Sequence, residues 1–265
     1  MRRSNNNYFR KQLFLSFKGG TGKTSLSASY GARLASLGKR VLLLDVDPQA
    51  HLTKCLGQDG TEVEKTLYDV LIYDDDLRSA VVPTSQPNLS LVPSNLSLSA
   101  TELSLAQRSL RESRLKYALN MVRNDYDVVI MDAAPTIGLL NLNSILAADD
   151  IIIPVLPDFL SYHGLKILFE TLASIEKEFL ASFQSIYIII NRFIGSEEVC
   201  LAARKALERY YSDYLMKTVV RDCPAFSEAS VRGISIFDYD PKSQAAKDLT
   251  EMIEEMFGSR EGRYE

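Results

Sequence analysis

Residues 17 to 24 read Phe-Lys-Gly-Gly-Thr-Gly-Lys-Thr, and no other stretch constrains the fold as tightly. An apolar run, Leu13-Phe14-Leu15, leads into it. Behind it, Ser25 to Leu37 carries Leu26, Tyr30, Leu34 and Leu37 at helical spacing and stops at Gly38. The order is therefore strand, glycine-rich loop, helix. Gly19, Gly20 and Gly22 let the backbone curl tightly and leave no side chain in the way of an approaching oxyanion. The N–H groups of such a curl, with a helix N-terminus behind them, make a concave anion site. Lys23 reaches terminal phosphate oxygens as a point charge, and the Thr24 hydroxyl falls where a phosphate-bound Mg²⁺ would sit.

The rest of the chain repeats the alternation. Val41 to Leu44 is a continuous apolar run, as suits a parallel strand buried on both faces, and it closes a βαβ unit. Its carboxyl end is Asp45-Val46-Asp47-Pro48-Gln49. Residues 51 to 87 are less regular, with a short helix expected over Thr66 to Ile72 and a strand over Asn88 to Pro93. Ser99 to Asn124 reads as one long amphipathic helix with Leu103, Leu110, Leu115, Leu119 and Val122 on its apolar side. Val128 to Met131 is another buried strand, ending at Asp132-Ala133-Ala134-Pro135. Strands at Ile151 to Val155, Ile186 to Ile190 and Thr218 to Val220 alternate with helices at Tyr162 to Lys177, Glu197 to Tyr211, Ser227 to Arg232 and Ser243 to Phe257. This pattern predicts a single α/β domain over residues 12 to 257, a doubly wound, mostly parallel sheet flanked by helices. Residues 1 to 11 read as a flexible basic arm and 258 to 265 as a tail.

Composition narrows the function classes. At 265 residues, 46% apolar and 24% charged, the chain can bury a sizeable core. A net charge of −4 argues against a surface coated in basic residues but leaves room for a local basic patch. Cys55, Cys200 and Cys223 form no CxxC, and His51 and His163 add no metal-ligand spacing, so reduced thiols in a cytosolic protein are expected. No stretch approaches the roughly 20 apolar residues of a membrane-spanning helix.

Three strand ends converge on one pocket: the loop at 18 to 24, Asp45 with Asp47, and Asp132. Carboxylates at the carboxyl ends of strands beside a phosphate loop lie where open α/β sheets place their chemistry. An apolar strand ending in aspartate is an arrangement that holds Mg²⁺ directly or through water. The strict phosphate-loop pattern fails, because Phe17 stands where its first glycine belongs. The actual Lys-Gly-Gly-x-Gly-Lys-Thr resembles the deviant Walker A of the ParA/MinD/nitrogenase-iron-protein group of ATPases. Asp45-Val46-Asp47-Pro48-Gln49 and Asp132-Ala133-Ala134-Pro135 with Ile137-Gly138-Leu139-Leu140 resemble switch I and switch II of the ParA/Soj partition ATPases. Ser227-Glu228-Ala229 and Tyr239-Asp240-Pro241-Lys242-Ser243 resemble two further elements of that family, so the likeness covers almost the whole chain.

The resemblance implies ATP and Mg²⁺ as cofactors and weak ATP hydrolysis stimulated by a partner. It assigns nucleotide binding to Lys18, Gly19, Gly20, Thr21, Gly22, Lys23, Thr24 and Ser25, and adenine contact to Asn191, which also reads as a turn-forming Asn. Thr24, Asp47 and Asp132 form the implied metal set, and Lys18, Lys23 and Asp47 the catalytic set, with Asp47 acting on the attacking water. Lys18 is implied to cross a homodimer interface to the partner's nucleotide, a cation supplied in trans. A ParB-like activator, non-specific DNA, and a cytoplasmic location at the nucleoid in the ATP state complete the expectation. Arginines common before Ser-Glu-Ala in DNA-binding relatives are replaced by Asp222 and Ala225, with Arg221, Arg204, Lys205, Arg209, Lys217, Arg232, Lys242 and Lys247 as the basic residues that compensate. Three other readings share the loop, and one of them, a biosynthetic ATPase such as a relative of the cobyrinate or dethiobiotin ligases, would lack Ser227-Glu228-Ala229 and Tyr239-Asp240-Pro241-Lys242-Ser243. A MinD-like membrane ATPase needs a basic amphipathic C-terminus, whereas residues 252 to 265 are acidic and mixed, so no stable membrane association is expected. A nitrogenase-iron-protein-like redox protein needs cluster cysteines, and Ala133 stands where relatives carry one.

Overall fold

The computed structural model describes residues 9 to 261. Most of the expected arm and the end of the expected tail lie outside the described residues. Eight strands form one sheet: β1 (Arg10–Phe14), β2 (Val41–Val46), β3 (Val82–Pro83), β4 (Leu89–Val92), β5 (Val128–Ala133), β6 (Asp150–Val155), β7 (Ser185–Phe193) and β8 (Val220–Arg221). Among the described residues eleven α-helices connect or flank them: α1 (Lys23–Ser36), α2 (His51–Cys55), α3 (Leu67–Tyr73), α4 (Thr101–Leu105), α5 (Arg114–Met121), α6 (Leu139–Ala147), α7 (Phe159–Phe179), α8 (Glu198–Tyr211), α9 (Ala225–Val231), α10 (Ile236–Tyr239) and α11 (Gln244–Glu261).

The strand order is β3-β4-β2-β5-β1-β6-β7-β8, with every pairing parallel except β3 with β4. β1 lies between β5 and β6, so the chain leaves β1 toward one edge and later turns to the other. That reversal puts the loop after β1 at the switch point of the sheet, where such folds bind ligands.

The continuous apolar strands are buried on both faces, as a parallel sheet requires. Along β2, Leu42, Leu44 and Val46 join one core layer, and Val41 and Leu43 join the other. In β5, Val129, Met131 and Ala133 face the first layer, and Val128 and Ile130 the second. The loop, Asp45 and Asp132 are thus carried on the most deeply packed strands.

One expected element is broken. Instead of a helix over 99 to 124, a 3₁₀ turn (Leu96–Ala100) runs directly into α4, turns separate α4 from α5, and Leu110 takes a left-handed φ of 55°. Leu115, Leu119 and Val122 are fully buried, whereas Leu103 and Leu110 are 85% and 58% exposed. Leu110 and Leu115 stand five residues apart, about 140° around a helix, so no single face could have buried both. α2 and α6 are helices where none was expected. β1 starts at Arg10, because Arg10 pairs with Asp150 and Lys11 with Asp149.

Candidate functional site

Gly20 and Gly22 adopt φ of 77° and 80°, and α1 opens at Lys23 with no side-chain cap, so its first N–H groups face the loop. Gly22 has a second reason to be glycine: a Cβ there would collide with the Asn191 amide. That amide donates from Nδ2 to the Thr21 carbonyl over 2.8 Å, fastening the end of β7 to the loop.

Lys23 and Thr24 meet on Asp132. Lys23 Nζ lies 3.1 Å from Asp132 Oδ1, and Thr24 Oγ1 donates to Oδ2 over 2.6 Å. Asp132 is fully buried and stands in register with Phe14 on one side and Asp45 on the other. Asp45 is also fully buried, and its carboxyl is pushed up to about 7, chiefly by burial and then by the neighbouring Asp132 charge. Three donors oppose that rise: the Asp47 N–H at 3.2 Å, and the Thr53 N–H and hydroxyl, each at 2.7 Å. Thr53 Oγ1 in turn accepts from the Ser94 N–H at 3.0 Å, so Asp45 knits α2 to the end of β4. Asp47, two residues on and just past the end of β2, accepts from the Gln49 N–H at 2.9 Å and lies 4.0 Å from His51.

Lys18 is placed differently from Lys23. Its Nζ lies 2.6 Å from Asp158 Oδ2 and 3.3 Å from the Ser161 hydroxyl, and its side chain keeps 33% exposure against 8% for Lys23. Asp158 caps α7 by accepting from the Ser161 N–H at 2.7 Å. Burial works to raise the Asp158 carboxyl, but the hydrogen bonds from Lys18 and Ser161 outweigh it and hold it below the usual range. A cleft of about 410 Å³ opens beside the loop, lined by Gly20, Gly22, Ser25, Asn191, Arg221 and Pro224.

Of the expected residues, the fold brings Lys23, Thr24 and Asp132 into direct contact and sets Asn191 against the loop. Lys18 points to α7 instead. Asp158, Ser161 and Thr53 were not expected. The Asp-x-x-Ser spacing at 158 to 161 is a helix-capping signal that would have found the first two. Arg221 does not stand free as a substitute for the missing arginines: its Nε lies 3.0 and 3.1 Å from the two oxygens of the buried Asp248. Among the described residues no group of three or more His, Cys, Asp or Glu could hold a metal by itself. A hard cation that keeps phosphate and water ligands needs only one or two protein oxygens, and the Thr24 hydroxyl beside a buried carboxylate fits that donor set.

Fold and loop together define a P-loop nucleoside triphosphatase. A family model described as an AAA domain matches residues 11–185. The chain is 48% identical over 245 residues to the cell division protein PomZ of Myxococcus xanthus, covering 92% of this chain and 77% of that protein. It is 34% identical over 239 residues to the sporulation initiation inhibitor protein Soj of Bacillus subtilis, covering 90% and 94%. Among solved structures, cobyrinic acid a,c-diamide synthase from Mycobacterium smegmatis with bound ADP and magnesium superposes with a TM-score of 0.80 at 28% identity, covering 92% of each chain. The chain belongs to the ParA/Soj family of the ParA/MinD superfamily of ATPases.

Proposed function

We propose that this chain is an ATP-driven dimerising switch that positions DNA or a protein cargo, built on the unit of residues 12 to 257. The observation that carries this reading is the contrast between two lysines of one loop. Lys23 is buried on Asp132, and Lys18 is partly exposed on Asp158. The first is placed to bind the chain's own phosphates, and the second can leave its carboxylate for a nucleotide held by another copy.

The loop amides, Lys23 and Ser25 bind the phosphates, and Asn191 fixes the loop beside the base cleft. Thr24, Asp47 and Asp132 would hold Mg²⁺ with the phosphates, and the metal would supply charge neutralisation at the transferring phosphoryl group. Asp47 orients the attacking water. Phosphoryl transfer needs positioned charge more than covalent chemistry, so a Lys18 that arrives only in the dimer gates the rate. The bound ADP and magnesium of the mycobacterial structure support this use of the loop, and the 48% identity to PomZ favours positioning over a biosynthetic ligase.

Non-specific DNA is the proposed matrix and a ParB-like protein the proposed activator. Membrane attachment through the C-terminal helix is not part of this reading, because α11 already spends its apolar face on the core through Ala245, Leu249, Met252 and Met256. The test is co-sedimentation of Asp47→Ala protein with DNA in ATP, ADP or no nucleotide. Binding is expected with ATP alone and falls by about 0.9 log unit per log salt for each phosphate contacted. Equal binding in all three states, or none, overturns the DNA matrix.

A further inference from the structure

The segment after Asp132 runs Ala133-Ala134-Pro135-Thr136-Ile137-Gly138 into α6, and its hydrogen bonds lead away from the phosphate loop. Gly138 occupies the cap position of α6 and has no side chain to satisfy the first N–H groups of the helix. The Leu140 N–H is satisfied from outside: it donates to Glu102 Oε1 over 3.2 Å. A carboxylate there also sits at the favourable end of the helix dipole. Gly138 is fully extended, with φ −177°, a conformation any residue can take. The space beside its Cα is shared with the flexible end of the exposed Glu102 side chain. A Cβ would strike the Glu102 carboxylate, whose Cδ would be 3.1 Å away.

Two asparagines of α6 complete the strap. Asn141, 2% exposed, donates from Nδ2 to the Ala134 carbonyl over 2.7 Å and to the Thr136 carbonyl, so it clasps the loop to the helix. Asn143 accepts from the Leu115 N–H at 3.2 Å and donates to the Arg111 carbonyl at 2.8 Å, tying α6 to the start of α5. Both asparagine side chains are buried. Glu102 is the exposed member, the one contact that can be released without opening the core.

We propose that Glu102 is a positioning residue for hydrolysis: it supplies the cap that Gly138 lacks and thereby sets the loop that follows Asp132. The proposal rests on the ATPase reading above and adds a residue outside every motif of the loop, switch I or switch II. Glu102 touches none of the residues that hold phosphate, so its loss changes turnover and leaves nucleotide binding intact.

The experiment is steady-state ATP hydrolysis by Glu102→Ala, Glu102→Gln, Gly138→Ala and the Glu102→Ala/Gly138→Ala double variant. Glu102→Ala is expected to lower kcat about five- to tenfold, the worth of a lost helix cap, with KM for ATP changed less than about twofold. Glu102→Gln keeps an acceptor oxygen and recovers most of the rate. Gly138→Ala evicts the carboxylate and repeats the loss, and in the double variant the two losses do not add. A kcat unchanged in Glu102→Ala, a KM that rises as kcat falls, or strictly additive losses overturns the proposal. Amide exchange of residues 139 to 141 without nucleotide provides a second readout. It is expected to quicken about tenfold in Glu102→Ala, and unchanged exchange also overturns the cap. Wild-type protein that fails to hydrolyse ATP would defeat the functional reading alone, since the exchange result stands apart from it.

Discussion

Lys18 and Asp158 form an ion pair within one chain, Nζ to Oδ2, at 2.6 Å. The same lysine is proposed to serve a nucleotide bound by a second copy. It cannot do both at once, so the pair competes with the dimer. Both side chains keep about a third of their exposure, and a pair of this kind contributes less than about 1 kcal/mol.

Removing the competitor should therefore favour the dimer modestly. Asp158→Ala is expected to raise ATP-dependent dimerisation about two- to fivefold, read as a lower dimer dissociation constant in sedimentation. Lys18→Ala is expected to keep ATP binding and lose hydrolysis. An Asp158→Ala protein with weaker dimerisation than wild type would show that this pair supports the assembly.

Gly22 carries two constraints, the φ of 80° and the approach of Asn191. Gly22→Ala is expected to weaken ATP binding at least about tenfold, from left-handed strain and from displacement of the Asn191 amide. In an Asn191→Ala background the collision disappears and the strain remains, so the penalty should shrink without vanishing. Titration with a fluorescent ATP analogue reads both. A penalty of equal size in the two backgrounds would remove Asn191 from the explanation.

Arg221 and Asp248 join β8 to α11, and they set a pH dependence. Burial pushes the Asp248 carboxyl up, but the Arg221 guanidinium and backbone N–H outweigh it and hold the group below the usual carboxylate range. A carboxyl depressed by folding stabilises the fold above its unfolded pKa of about 3.9, and that contribution is lost as pH falls through the folded value. Asp248→Asn is expected to cost about 1 kcal/mol at pH 7, a modest figure because Arg221 is 46% exposed. The gap to wild type should narrow below about pH 4 and close as pH falls through the lower folded value, read in denaturant midpoints. A gap as wide at about pH 3 as at about pH 7 would assign the effect to packing.

The sheet and its phosphate loop were legible because their signals are local. Apolar runs announce strands buried on both faces, and three glycines between two lysines announce a loop that binds anions. Lys23 and Asp132 could be paired in advance because each ends or follows such a strand. The partners of Lys18 and Leu140 could not. Asp158 lies 140 residues from Lys18 and Glu102 lies 38 from Leu140, and only packing brings them together. The stretch from 99 to 124 misled for a different reason: its leucines are numerous enough for a long helix, but Leu110 falls out of phase with Leu115. Arg221 looked available for DNA because its partner, Asp248, comes from a helix later in the chain.

On the proposed function, ATP and not ADP closes two copies around their nucleotides. The direct test is the solution mass of Asp47→Ala protein with Mg²⁺ and ATP, with Mg²⁺ and ADP, and without nucleotide. Twice the 29.7 kDa chain mass is expected with ATP, and a single chain in the other two conditions. The same mass in all three would contradict it.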